Sequence, residues 1–238
     1  MNILILGYGK MGKTIERISI ERGHNIVDKI DVHNQDQLKS IKSDEVDVAI
    51  EFSQPDVAYQ NIATCLETGI AVISGTTGWL QRKDDIEKIC KDNDGTFFYA
   101  SNFSIGVNVF FRINKYLADI MNEYAEYDPS IIEVHHAEKK DAPSGTAITL
   151  AEGIIDNITR LKKWENRKET KKDVLGIESE RTGNVPGTHL IKYRSNIEEI
   201  AIRHEAFGRE GFAQGAILVS EWLRDKKGIL GMDDFLDI

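Results

Sequence analysis

Met1-Asn-Ile-Leu-Ile-Leu-Gly7-Tyr8-Gly9-Lys10-Met11-Gly12 is the first stretch of the chain. Asn2 to Leu6 is a short, β-rich apolar run, and a glycine-rich turn follows it directly. From Lys13 to Glu21, Ile15, Ile18 and Ile20 suit one face of a helix. Strand, Gly-x-Gly-x-x-Gly and helix in that order form the start of a dinucleotide-binding fold. The glycines allow a tight turn and close backbone approach to a pyrophosphate, and free amides at the helix start supply an anion site. An ordinary glycine turn can carry the same pattern, so the surrounding chain has to decide.

Asp31 ends a second apolar run, His24 to Asp31, and lies 19 residues beyond Gly12. That is close to the spacing of about 20 expected for an acid that accepts both ribose hydroxyl protons. Asp28 competes for the role. No arginine follows Asp31, which favours NADH, while Lys10 and Lys13 leave NADPH a partner for its 2′-phosphate. Val46 to Phe52 and Ala71 to Ser74 read as third and fourth strands, with a helix over Pro55 to Thr68. Gly75-Thr76-Thr77-Gly78 follows the fourth strand, where it would either cradle the nicotinamide ribose or carboxamide or serve as a plain turn. Strands alternating with helices imply an α/β fold, a Rossmann-like parallel sheet covered on both faces.

The texture changes near Ser104. Val107 to Tyr124 reads as a long helix and Ser130 to His135 as a strand running into a polar loop, with a further helix from Gly145. Val174 to Glu180, Thr188 to Tyr193 and Glu198 to His204 are strand-like and divided by turn residues, as in a mixed or antiparallel sheet. Gly211 to Leu223 is helical again and is expected to pack on the first domain. The reading is therefore a cofactor domain over 1–104 and 209–238, with an inserted α+β domain over 105–208 for substrate and oligomerisation.

Bulk properties narrow the function. The chain has 238 residues, a net charge of −9 from 30 basic and 39 acidic residues, and 41% hydrophobic content, enough for packed cores. It lacks the basic excess of a phosphate-backbone binder, so nucleic acid is not an expected partner. The first apolar stretch is about five residues, far short of a signal-peptide core or a span of about twenty. A cytoplasmic protein without membrane association is expected. Cys65 and Cys90 lie in helix-like sequence with no second pair, as reduced structural thiols.

The most informative segment is Glu133-Val-His135-His136-Ala-Glu-Lys139-Lys140-Asp141-Ala-Pro143-Ser144-Gly145-Thr146-Ala147. Acid/base, cationic and anion-binding groups are gathered in one loop, a mixture costly to desolvate without a function. Neighbouring side chains of a strand point to opposite faces, so one histidine would face a site unless the chain turns there. Adjacent histidines bind a single ion poorly and no carboxylate or cysteine is spaced to complete a set, so no metal is expected.

This segment resembles the Glu-x-His-His-x-x-Lys-x-Asp-Ala-Pro-Ser-Gly-Thr-Ala signature of dihydrodipicolinate reductases. Residues 101–110, SNFSIGVNVF, are similar to that family's hinge segment, and residues 204–216, HEAFGREGFAQGA, to its C-terminal return. Arg181-Thr-Gly183 and Gly187-Thr-His189 resemble a further family stretch, with Pro186 where an aliphatic residue is usual. The glycine loop is one residue shorter than in some members. The likeness runs over essentially the whole chain.

The resemblance implies roles. His135 would be the general acid/base, Lys139 a proton donor and electrostatic stabiliser, His136 a substrate contact, and Gly145 with Thr146 a carboxylate site. Ala100, Ser101, Asn102 and Phe103 would border the nicotinamide, and Glu51, Phe52 and Ser53 would line the third strand's ligand edge. The implied reaction is hydride transfer from NADH or NADPH to hydroxytetrahydrodipicolinate, or its dehydrated imine, in the interdomain cleft of a homotetramer. A positioned acid suits it, because an imine that receives hydride on carbon needs a proton on nitrogen. Two rivals remain: a reductase of another cyclic imine or keto acid, and a dinucleotide sensor without turnover. Activity on simple imino acids would mark the first; the second would keep the glycines and Asp31 but dispense with His135 and Lys139.

Overall fold

A computed structural model of the chain describes residues 1–168 and 171–237; Ile238, where the expected cofactor domain ends, lies outside them. Two compact units emerge, one from Met1–Ile105 with the segment from Arg209 onward, the other from Gly106–Gly208.

The first unit begins with β1 (Asn2–Leu6), α1 (Lys10–Glu21), β2 (Asn25–Ile30), β3 (Val48–Glu51), α2 (Pro55–Glu67), β4 (Val72–Ser74), α3 (Lys83–Asp92) and β5 (Thr96–Tyr99). The chain continues through α4 (Ile105–Met121), β6 (Asp128–His135), α5 (Gly145–Ile155), β7 (Lys163–Glu165), β8 (Val174–Arg181), β9 (Gly187–Arg194) and β10 (Glu199–Ala206). It returns to the first unit as α6 (Glu210–Trp222), β11 (Gly228–Leu230) and α7 (Met232–Leu236).

The first sheet has the order β11-β5-β4-β3-β1-β2 with every pairing parallel. Ile3, Leu4, Ile5 and Leu6 are wholly buried, which is why β1 reads as an unbroken apolar run rather than an alternating one. Leu4 and Leu6 join the core on one face with Ile62, Leu66 and Phe97, while Ile3 and Ile5 join the other with Ile15, Phe98 and Ile217. The strand order reverses at β1, so the carboxyl ends of β1 and β3 flank the crevice where such sheets bind ligands.

Helix α1 starts at Lys10, three residues earlier than its apolar spacing suggests, because Gly9 occupies the cap position and the loop itself winds into the first turn. In this unit α3, β5, β11 and α7 lie outside the elements expected from the sequence, as does β7 in the other. α3 buries only Ile86 and Cys90 and β11 is three residues long, so neither leaves a strong period.

In the second unit the sheet order is β10-β9-β6-β8-β7, with β6, β8 and β7 parallel and β9 antiparallel to both β6 and β10. It is the mixed sheet expected. Phe110, Met121, Leu150, Ile154, Ile177, Ile191 and Tyr193 pack α4 and α5 on one face of it. Pro186 sits just before β9, outside the hydrogen-bonded ladder, where its missing N–H costs nothing. Cys65 and Cys90 are free and buried, and burial pushes the Cys65 thiol up to about 12.

Candidate functional site

Each unit carries its own constellation. In the first, Gly7 adopts φ +94°, and its amide donates to Ile30 O at 2.8 Å. A Cβ on Gly7 would stand 2.2 Å from the Phe52 carbonyl oxygen, and one on Gly12 would stand 2.2 Å from Gly7 O. Those two glycines are demanded by the protein's own packing. Gly9 differs, since nothing lies within 4 Å of its absent Cβ, and α1 has no side-chain cap. The helix start therefore keeps open amides and open room together, which fits a pyrophosphate. Lys10 and Met11 are the first helical residues, and the Tyr8 hydroxyl donates to Glu16, tying the loop to α1. Lys29 supports Glu16 at 3.0 Å.

Asp31 lines the same concavity as Gly7, Gly9, Phe52 and Ser53, whereas Asp28 does not. The Asp31 carboxylate accepts from His33 N at 2.8 Å, and its own amide donates to Asn34 Oδ1 at 2.7 Å, so the acid is held in one place. The Gly75–Gly78 turn is anchored by Glu51, a fully buried carboxylate at the end of β3. Oε1 accepts from the Thr76 hydroxyl at 2.9 Å and from Ser53 N at 2.9 Å, Oε2 accepts from Ser74 Oγ at 2.6 Å, and the Ser53 hydroxyl also donates to Oε1. The Thr76 hydroxyl is thus turned inward, while Thr77 is exposed. Gly75 is required because a Cβ there would lie 2.2 Å from the Phe52 ring. Phe103 is also turned inward, packed on Phe52 and Phe98 at 5.5 and 5.7 Å between ring centroids, and Ala100 is buried. Ser101 is exposed, and Asn102 Oδ1 accepts from Ser104 N at 2.8 Å.

In the second unit, β6 carries Glu133 and His135 on one face, both buried, and His136 follows as the strand ends. Glu133 Oε1 accepts from Arg181 Nη2 at 2.8 Å and from Ser144 N at 3.0 Å. Its Oε2 stands 3.1 Å from His135 Nδ1 and 3.9 Å from His189 Nε2. His189 lies opposite Glu133 in the β6–β9 register, with Nε2 3.3 Å from Ser144 Oγ and its ring edge-on to His135, centroids 5.2 Å apart. Burial opposes ionisation of Glu133, but His135, Ser144, Arg181 and Ser179 outweigh it and hold the carboxyl well below the usual range, so it is an anion. Burial first, then the neighbouring His135, pulls His189 down to about 4, so it is neutral at pH 7.

Lys139 Nζ contacts both oxygens of Asp141 at 2.8 and 2.9 Å, and Arg181 also donates to Asp141 O at 2.6 Å. The Ser144 hydroxyl accepts from Ala147 N at 3.2 Å and caps α5. The amides of Gly145 and Thr146 remain at the open helix end, and nothing lies within 4 Å of a Cβ at Gly145. That end suits a carboxylate. The unit therefore brings together an imidazole, an ammonium and an anion-binding helix terminus. Among the described residues, Glu133, His135 and His189 also place one ligand-type atom each within 4.8 Å of one another. Arg181 already neutralises that carboxylate. Glu133, Arg181 and His189 had no assigned role in the sequence. The Glu133–His135 spacing of two signals a shared strand face; Arg181 and His189 stand out only through the family stretch they resemble, which does not say that they arrive from β8 and β9 to meet Glu133.

A profile of "Dihydrodipicolinate reductase, N-terminus" matches residues 1–103, and one of "Dihydrodipicolinate reductase, C-terminus" matches residues 106–236. The chain belongs to the dihydrodipicolinate reductase family. The 4-hydroxy-tetrahydrodipicolinate reductase of Christiangramia forsetii is 49% identical, over 99% of this chain and 98% of its own length. That of Methanocaldococcus jannaschii is 33% identical over 98% of this chain and 81% of its own length. A dipicolinate-bound dihydrodipicolinate reductase from Paenisporosarcina sp. TG-14 shares the fold, with a TM-score of 0.75 at 23% identity over 98% of both chains. As a dihydrodipicolinate reductase family member, the chain is an oxidoreductase of lysine biosynthesis that reduces the dihydrodipicolinate substrate with a nicotinamide cofactor. No described helix is long and apolar enough to cross a membrane.

Proposed function

We propose that the chain reduces hydroxytetrahydrodipicolinate, or the imine formed from it by loss of water, to tetrahydrodipicolinate, with His135 as general acid/base. The observation that carries this reading is the buried His135 beside an anionic carboxylate, in the same loop as Lys139 and the open start of α5. When bound, the nicotinamide cofactor supplies the hydride. Gly9 and the first amides of α1 hold its pyrophosphate, and Asp31 accepts from the adenosine ribose hydroxyls. That acid, with no arginine after it, favours NADH over NADPH.

His135 delivers a proton to the substrate nitrogen as negative charge develops there. Lys139, released from Asp141, donates to and balances a dianionic substrate. His136 contacts the substrate, and the amides of Gly145 and Thr146 bind one carboxylate. Residues 1–104 and 209–238 serve as the cofactor domain and 105–208 as the substrate and oligomerisation domain of a cytoplasmic homotetramer.

The test is a coupled assay in which aspartate semialdehyde, pyruvate and the preceding synthase generate substrate, with loss of reduced-nicotinamide absorbance followed for NADH and NADPH separately. Synthase-dependent oxidation, faster with NADH, is expected. Oxidation with neither cofactor, in protein that binds NADH, would sink the substrate assignment. In the same assay His135→Ala and Lys139→Ala should each lower kcat by about 10²–10⁴-fold, the usual worth of a positioned acid or base. The NADH dissociation constant should stay within about twofold, since neither residue belongs to the dinucleotide-binding unit.

A further inference from the structure

We propose that Glu133 is a positioning residue that fixes the tautomer of His135, keeping the proton on Nδ1 so that Nε2 is the nitrogen that exchanges protons with substrate. The inference rests on the acid/base reading of His135 and adds a function for a carboxylate to which that reading assigns none.

Three observations carry it. The first is position: Glu133 Oε2 and His135 Nδ1 are both buried, neither has a hydrogen-bond partner among the described residues, and they stand 3.1 Å apart. Their alignment is short of a hydrogen bond, as is common at catalytic sites before substrate tightens them. The second is that the rest of the carboxylate is already committed. Oε1 takes two donors, Arg181 Nη2 and Ser144 N, so only Oε2 is available to the imidazole. The third is the far side of the ring: Gly187 presents no side chain there, and a Cβ at that position would stand 3.0 Å from Nε2. The bare glycine leaves Nε2 clear while Nδ1 is turned to the anion. His189 cannot substitute for Glu133 in this role, because it offers no charge at pH 7.

The double commitment of Oε1 gives the test its sharpness. In Glu133→Gln, Arg181 and Ser144 both require an acceptor, so the amide oxygen must stay with them and the NH₂ must face His135. An amide NH₂ donates, so the variant should drive the neutral ring into the opposite tautomer while leaving the surrounding packing intact. Where a carboxylate-to-amide change imposes the wrong histidine tautomer, turnover falls by up to about 10⁴-fold without loss of geometry.

The experiment combines ring ¹⁵N shifts of histidine-labelled full-length protein, recorded at a pH where His135 is neutral, with steady-state kinetics. His135 is assigned by its absence in His135→Gln. Wild type should show Nδ1–H and a bare Nε2. Glu133→Gln should show Nε2–H, with kcat down by about 10²-fold or more and the KM for NADH within about twofold. A wild-type spectrum with the proton on Nε2 overturns the proposal, and needs no variant to fold. So does a folded Glu133→Gln with kcat within about threefold of wild type. Undiminished turnover in His135→Ala would instead overturn the acid/base reading itself. Lost turnover in His135→Ala with full turnover in Glu133→Gln removes only the positioning role.

Discussion

His189 is 4% exposed and is pulled from 6.5 to about 4 by burial and by His135 beside it. A histidine kept neutral by the fold accepts a proton more readily when unfolded. Its contribution to stability is therefore complete above about pH 6.5, falls as pH drops, and is gone near pH 4. The interval corresponds to about 3 kcal/mol at most. Thermal melts between pH 7.5 and 5 should show wild type losing stability on acidification, and His189→Gln losing distinctly less; parallel curves for the two proteins would contradict the assignment. Glu133 loses its contribution in the same direction, but at lower pH. Its depressed carboxyl stabilises the fold above about pH 4.3 and gives way only in stronger acid, so the two effects occupy separate pH ranges. At this scale the sequence reveals residues that lie together along the chain. His135, Lys139, Ser144 and Gly145 share one loop, and Gly7, Gly9 and Gly12 share one turn. The meeting of Arg181 and His189 with Glu133 was not legible, although a family-like stretch carries both, because it is made through strand register, which no local spacing encodes.

Between residue and domain, the junction of β1 and α1 separates two kinds of glycine. Gly12→Ala forces a methyl to within 2.2 Å of a backbone oxygen, so α1 must shift against β1, at a cost of about 1–3 kcal/mol and with weaker NADH binding. Gly9→Ala places its methyl with nothing from elsewhere in the described chain within 4 Å and has an ordinary φ of −82°. Its melting temperature should stay near wild type while the KM for NADH rises, because the new methyl occupies room left for phosphate. If both variants lost stability equally, the division between packing glycine and ligand glycine would be wrong. At the start of α5, Ser144→Ala removes a cap worth about 1 kcal/mol and should raise the KM for substrate more than that for NADH. Apolar spacing or an unbroken apolar run made β1, α2, α4, β6 and the start of α5 readable from sequence within a few residues. β7 and β11, at three residues each, are too short to alternate visibly and are held by neighbouring strands.

At the level of the whole molecule, the first unit is assembled from two stretches of chain. β11 pairs with β5 at the sheet edge, and α6 supplies Ala213, Ala216, Ile217 and Val219 to one of its two cores. Arg22 and His24 reach Glu221 at 2.7 and 2.8 Å, clasping the early segment to the late one. Removing residues 209–238 should therefore expose β5 and half of a core and abolish NADH binding, read by fluorescence titration, with loss of the cooperative melt of that unit. A truncated chain that still bound NADH would show the late segment to be dispensable. The alternating strands made the parallel sheet legible in the sequence, and the shift in texture near Ser104 marked where its first stretch stops. The edge position of β11 was not legible, because it is a fact about pairing alone.

This split construction sets an order of events during synthesis. A ribosome making the chain at about 5–20 residues per second releases β1 to β5 well before the segment that finishes their sheet. The whole of the inserted unit has to be translated in between, and its own sheet is complete as soon as β10 emerges. The loop bearing His135 can thus be in its final fold while the nucleotide-binding half still waits with an open edge. An interruption soon after Gly208 leaves the second sheet complete and the first without α6 and β11, so on the proposed division of labour a stalled product should be inert rather than partly active.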